Sequence, residues 1–127
     1  MNIIVTGGTD GIGLALVKNL LSLNHNVKMV GKDTKKAERI LNSLNNSKLE
    51  FFKCDLSEKR EINELIHKMN NLRSIDVLVN NAGAIFDKRE LNSEGIEKTF
   101  ALNHLSYLQL SLGLKKNLED SKIGRII

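Results

Sequence analysis

Short apolar runs alternate with stretches of helical periodicity along the whole chain. Asn2–Val5 reads as a strand, followed by a glycine-rich turn and a helix from about Gly11 to Ser22. Asn26–Val30 reads as a second strand, and Asp33 as the N-cap of a helix that runs to about Leu44 with Ala37, Ile40, Leu41 and Leu44 on one face. Leu49–Lys53 is the third strand, and Ser57 caps a helix striped by Ile62, Leu65, Ile66 and Met69. Ile75–Val79 is apolar without alternation, the mark of a strand covered on both faces. A long helix from about Glu94 to Leu118 then leads to a fifth strand opening at Arg125–Ile127. Strands alternating with helices over connections this short imply a parallel sheet with helices on both faces, and right-handed crossovers make it doubly wound.

With 127 residues the chain holds one ordinary domain, residues 1–127. Aromatic residues are only 4% and Trp is absent, so aliphatic side chains must build the core. No apolar run approaches the roughly 20 residues of a membrane span, and Ile3-Ile4-Val5 passes straight into glycines rather than into a leader. Cys54 is the only cysteine, which excludes a disulfide framework and a CxxC zinc site. The expected address is the cytoplasm. The net charge of +4 is spread through mixed clusters such as Lys35-Lys36-Arg39 beside Glu38, a pattern of solvated helix faces rather than a nucleic-acid surface. His25, His67 and His104 stand apart from any acid or thiol at ligand spacing, so no metal is expected.

The chemistry concentrates between strands and helices. In Thr6-Gly7-Gly8-Thr9-Asp10-Gly11-Ile12-Gly13, Gly7 permits a turn other residues would strain, Gly11 lets backbone approach a ligand, and Gly13 permits close helix packing. Free amides at the helix start, with the positive end of its dipole, suit a pyrophosphate. No Gly-Lys-Ser/Thr follows, so a phosphate-loop NTPase is a poor fit. Asp55-Leu56 and Asn80-Asn81-Ala82-Gly83 fall at the carboxyl ends of the third and fourth strands, where ligands of open α/β sheets bind. Asp55 suits an adenine amino group, with Leu56 over the ring; a helix-start cap explains Asp55 equally well, and a strand-ending Asx turn explains the asparagines.

Taken together, these segments resemble the short-chain dehydrogenase/reductase family: Thr6-Gly7-x3-Gly11-Ile12-Gly13, Asp55-Leu56, Asn80-Asn81-Ala82-Gly83, Asn103 and Gly124-Arg125-Ile126-Ile127 stand in the family's order and spacing. The run Asn103-His104-Leu105-Ser106-Tyr107-Leu108 is most similar to the retinol-dehydrogenase-like branch. The resemblance implies a Rossmann-like doubly wound sheet of order 3-2-1-4-5 and a nicotinamide-dependent oxidoreductase acting on an alcohol or carbonyl. It implies that Gly7, Thr9, Asp10, Gly11, Ile12 and Gly13 shape the pyrophosphate turn, that Asp55 and Leu56 meet adenine, and that Asn81, Ala82 and Gly83 line the ribose side. It makes Asn103 the helix asparagine of the proton relay, an amide that must find partners in an apolar stretch.

Members preferring NAD carry an acid where Gly31 stands, and members preferring NADP carry Arg where Lys32 stands; the resemblance therefore favours NADP(H) over NAD(H), although Asp10 occupies a turn position where a basic residue would help. Asp33 lies about 20 residues past the glycines but reads as the cap of the next helix. The family's Ser and Tyr-x-x-x-Lys fall beyond the fifth strand, so the domain is expected to be incomplete at its C-terminus. Tyr107, the only tyrosine, is followed at the fourth position by Ser111 and is not assigned to catalysis. A non-catalytic NADP(H)-binding or interaction module is the competing expectation. Apolar residues wrap the 94–118 helix on every side, which predicts burial on every side, by a homodimer partner or by a further segment.

Overall fold

In the computed structural model, which describes residues 1–127, five apolar segments form one parallel sheet in the order β3-β2-β1-β4-β5. The strands are β1 (Asn2–Thr6), β2 (Asn26–Gly31), β3 (Leu49–Lys53), β4 (Val77–Val79) and β5 (Arg125–Ile126). Helices α1 (Gly11–Ser22), α2 (Thr34–Leu44) and α3 (Lys59–Met69) join the first four strands. After β4 a loop leads to α4 (Lys98–Phe100), which passes through a π-helical turn (Ala101–Leu105) into α5 (Ser106–Gly113) and α6 (Lys115–Glu119).

Period-two geometry sends alternate strand residues to opposite faces, and here both sets are apolar. Ile3, Val5, Val27 and Met29 pack with Val17 and Leu21 of α1 and Ala37 of α2. Ile4 and Leu78 face the other way, onto Leu65 and Met69 of α3 and Leu110 of α5. Each of these aliphatic side chains contributes roughly 1.5–3 kcal/mol by leaving water. The double coverage explains why β1 and β4 show no polar phase in the sequence.

Three boundaries differ from expectation. First, β4 begins at Val77 rather than Ile75, because Ile75 turns its amide to Asn117 O and Asp76 accepts from the Asn2 amide and the Ser121 hydroxyl. Second, Ser57 does not cap α3: its amide and hydroxyl donate to Asp55 Oδ1, and the helix opens after Glu58. Third, the long helix starts at Lys98, not Glu94. Asn92 Oδ1 gathers the Glu94 and Ile96 amides into a turn, and the Glu97 carboxylate caps the helix by accepting from the Thr99 and Phe100 amides. Asp33 does cap α2, accepting from the Lys36 amide at 2.9 Å.

Within one copy of the chain the long helix is buried on one side and exposed on the other. Ala101, Ser106 and Leu110 are buried, whereas Phe100 is 51% exposed and Leu112 64% exposed. The sheet and α3 cover only one side of it. No helix of the chain is long and apolar enough to cross a membrane.

Candidate dinucleotide-binding cleft

Thr6, at the end of β1, is fully buried and organises the rim of the sheet. Its hydroxyl donates to Val79 O and accepts the amides of Asn81 (2.9 Å) and Ala82 (3.0 Å). The Asn81 side chain returns the tie, its Nδ2 donating to Thr6 O at 2.9 Å. These bonds lock the loop after β4 against the turn after β1. The reading of Asn81 as a local Asx turn is thereby replaced: its amide group bridges two strand ends.

The turn itself depends on close approach. Gly7 has φ +65°, and a Cβ there would lie 2.9 Å from Ala82 Cα. At Gly13 a Cβ would lie 2.2 Å from Gly7 O and 2.5 Å from Asn81 Nδ2. The small residue is thus needed where the helix packs closely on the turn and Asn81. Gly11, at φ +48°, has nothing within 4 Å of its Cβ position and opens onto free space. The amides of Ile12 and Gly13 find no acceptor in the protein, as expected for the first turn of a helix. Asp10 adds something the glycine pattern does not reveal: its carboxylate accepts from the Gly11 amide at 2.8 Å and pairs with Lys36 Nζ at 2.5 Å.

A cavity of about 510 Å³ lies over the carboxyl ends of the strands. All the residues singled out from the sequence for the cofactor line it: Gly7, Thr9, Asp10, Gly11, Ile12 and Gly13 from the turn, Lys32 after β2, Asp55 and Leu56 after β3, and Asn81, Ala82 and Gly83 after β4. Its size falls within the usual range for small-molecule sites. Gly31 also lines it, and a Cβ there would stand 3.1 Å from the Thr9 side chain, a tight contact that a small shift of Thr9 would relieve.

Asp55 does not cap α3 but holds the turn before it. Oδ1 accepts from the Ser57 amide (3.0 Å) and hydroxyl (2.7 Å), which is local turn chemistry, while Oδ2 makes no bond within the protein. Burial raises the Asp55 carboxyl, but the Ser57 hydroxyl and amide, with Lys32 and Lys98 nearby, outweigh it and hold the group below the ordinary carboxylate range. Cys54 lines the cavity as a buried thiol pushed up to about 12, first by desolvation and then by Glu61 and Asp55. It is therefore a small hydrophobe and not a nucleophile.

Ala84, Phe86 and Leu102 also line the cavity and were not singled out in the sequence. Only the apolar character of Leu102, beside Asn103, hinted at it. Asn103 lies within the π-helical turn and is exposed, so it is not the buried amide its neighbours suggested. It finds partners nonetheless: Oδ1 accepts the Ala84 amide at 3.0 Å and Nδ2 donates to Ala84 O at 2.9 Å. Tyr107 is occupied, its hydroxyl donating to Ala82 O at 2.6 Å and its ionisation raised by burial. No group of three or more His, Cys, Asp and Glu side chains is placed to hold a metal.

Known proteins are similar to this chain in sequence and in fold. A human polyprenol dehydrogenase is 34% identical over 123 residues, covering 93% of this chain and 37% of its own length. Short-chain dehydrogenase TIC 32 A, chloroplastic, from Brassica napus is 34% identical, covering 98% of this chain and 42% of its own. The chain thus spans about two-fifths of the length of these relatives. Among solved structures, a short-chain dehydrogenase from Sphingobium yanoikuyae in complex with NADPH superposes with a TM-score of 0.83 at 22% identity, covering 98% of this chain and 51% of that one. The closed form of a serine dehydrogenase complexed with NADP+ gives 0.82 at 22% identity, covering 99% and 52%. At that identity the likeness establishes the fold. The family model described as short chain dehydrogenase matches residues 1–127 throughout, and with the parallel order β3-β2-β1-β4-β5 and the glycine turn in place, the chain belongs to the short-chain dehydrogenase family.

Proposed function

We propose that residues 1–127 form the cofactor-binding half of an oxidoreductase that moves hydride between a nicotinamide dinucleotide and a small alcohol or carbonyl, with NADP(H) preferred to NAD(H). The observation that carries this reading is the single cavity that gathers the glycine turn, Asp55-Leu56 and Asn81-Ala82-Gly83. The residues present fit such a group. Gly11 faces open space, the Ile12 and Gly13 amides are free for a diphosphate, and Asp55 Oδ2 is free for an adenine amino group.

When bound, the nicotinamide supplies or accepts hydride. The chain's own residues would position it: the helix start holds the diphosphate by amide and dipole, Leu56 lies against adenine, and Thr6 and Asn81 keep the two loops at fixed separation. Lys32 stands at the end of β2, where the ribose 2′ substituent is held in such folds, and there is no acid at Gly31 to select a free hydroxyl. Asn103, bonded twice to Ala84, would anchor the far wall and serve the proton relay. The exposed Phe100, Leu108 and Leu112 support a homodimer built on the long helix. We place the chain in the cytoplasm, where one unpaired cysteine is the ordinary state.

Fluorescence titration of the chain with NADPH and NADH tests the reading; saturable binding with NADPH tighter is expected, and no binding of either overturns it. The competing reading is a non-catalytic NADP(H)-binding or interaction module derived from such an enzyme. An activity screen over alcohols and aldehydes, run on the gene's full product beside the titration, separates the two.

A further inference from the structure

The turn that carries Asp55 and Leu56 into the cleft is held from behind by a residue far along the chain. Asn92, in the loop after β4, is buried but does not line the cleft. Its Oδ1 accepts the Glu94 amide at 3.0 Å and the Ile96 amide at 2.9 Å, while Nδ2 donates to the Ser57 carbonyl at 2.9 Å. Ser57 is only 4% exposed and stands before α3, so its carbonyl has no place in the helical ladder. On its other side Ser57 donates its amide and hydroxyl to Asp55 Oδ1, at 3.0 and 2.7 Å. A continuous chain of bonds thus runs from Asn92 through Ser57 to Asp55, and ends in the cleft at the unbonded Oδ2.

Packing does not fix this turn. A gap of about 10 Å³ is lined by Leu56, Ser57, Asn92 and Gln109, and Gln109 Oε1 is buried without a partner. The other ties between the two segments, Ser93 to Glu58 and Lys59 to Glu94, are exposed and contribute little. The buried Asn92 bond therefore decides how the turn sits.

We propose that Asn92 is a positioning residue for selectivity at the base: by holding the Ser57 carbonyl it fixes Asp55 Oδ2 where the 6-amino group of adenine is read. The proposal rests on the dinucleotide reading above. A carboxylate accepts from an amino group and repels a carbonyl oxygen, so the base it discriminates against is hypoxanthine, which carries oxygen at that position. Charge alone does not give this selectivity, because the bond is directional. Without Asn92 the Ser57 carbonyl is left buried and unpaired, and the turn must open toward water to satisfy it. Asp55 then keeps its charge and loses its aim.

The test is titration of the 127-residue chain with NADPH and with its hypoxanthine analogue, each variant checked by thermal melt. The unmodified chain is expected to prefer NADPH by about five- to tenfold, the range of one hydrogen bond to a charged group. Asn92→Asp keeps the acceptor for the Glu94 and Ile96 amides but turns an oxygen on the Ser57 carbonyl. It should bring the preference to within about twofold, by weakening NADPH alone. Asn92→Ser, which adds no charge, should do the same and stands in if Asn92→Asp folds poorly. In chains already carrying Asp55→Ala the preference is absent, and Asn92→Asp should shift the ratio no further. Glu97→Ala, which loosens the start of α4 without touching Ser57, should keep the preference. Asn92 variants that melt cooperatively and weaken both dinucleotides equally, or neither, would overturn the positioning role while leaving dinucleotide binding intact. An unmodified chain that binds both equally would overturn it as well, and one that binds neither would remove the dinucleotide reading with it.

Discussion

Strands β1, β2 and β3 pair with one another over five residues at each ladder, whereas β4 pairs with β1 over three and with β5 over two. The two sides of the sheet are held by different means. On the β1–β2–β3 side backbone ladders and two layers of aliphatic residues act together. On the β4–β5 side the ladder is thin, and burial comes from α3, α5 and α6, with Ile126 still 52% exposed. The cleft straddles the join, and the join is made by Thr6 and Asn81. The geometry of the cleft therefore depends on a few buried hydrogen bonds at the strand ends more than on the extent of the sheet around it.

If that contrast holds, substitutions should lose effect with distance from the join. The largest loss is expected for Gly13→Val. Its Cβ would meet Gly7 O and Asn81 Nδ2 at once, and neither is the free end of a flexible chain. Overpacking of this kind lowers stability by about 3 kcal/mol, and the displaced turn should abolish NADPH binding; denaturant melts and titration together measure it. Next comes Thr6→Val, which strands the Asn81 and Ala82 amides in a buried place. A loss of about 2–4 kcal/mol is expected, read as a lower urea midpoint at unchanged slope. Tyr107→Phe removes one bond to Ala82 O and should cost about 1 kcal/mol with little change in dinucleotide affinity.

Acid should loosen both sides. Asp55 and Asp76 are held below the ordinary carboxylate range, Asp76 first by the Ser121 hydroxyl and, against burial, by the Asn2 amide. A group depressed in the folded state adds stability fully above its unfolded value, near about 4, and loses it as pH falls through the lower folded value. Thermal midpoints should thus be flat from about pH 6 to 5 with respect to these groups and fall below about pH 4, less steeply in Asp76→Asn. The smallest effect belongs to the outer face of the long helix: at dilutions that keep the chain monomeric, Leu112→Ser should stay within about 0.5 kcal/mol of the unmodified chain. A loss that grows with protein concentration is expected of the homodimer proposed on this face, and its absence would count against that dimer.

The strands and the residues that line the cleft were legible because each rests on local chemistry: apolar runs, a glycine turn, and short polar motifs at strand ends; the strand order came from the family resemblance. What escaped the sequence depends on partners far along the chain. Ser57 and Asp55 both look like caps, and only the fold shows that Ser57 donates to Asp55 while Glu58 precedes the helix. The 94–97 stretch has helical periodicity, but Asn92 captures its amides. Lys36 reads as one lysine in a solvated run until α1 and α2 are brought together across the cleft. Asn103 was expected to be buried from its neighbours; the π-helical turn instead leaves it exposed, reaching Ala84.

The most direct measurement is a calorimetric titration of the folded 127-residue chain with NADPH, run beside Gly13→Val. Saturable, salt-sensitive uptake by the unmodified chain, lost in the variant, is the expected result. A featureless trace from a chain that still melts cooperatively would contradict it, since the free amides at the start of α1 would then hold no diphosphate.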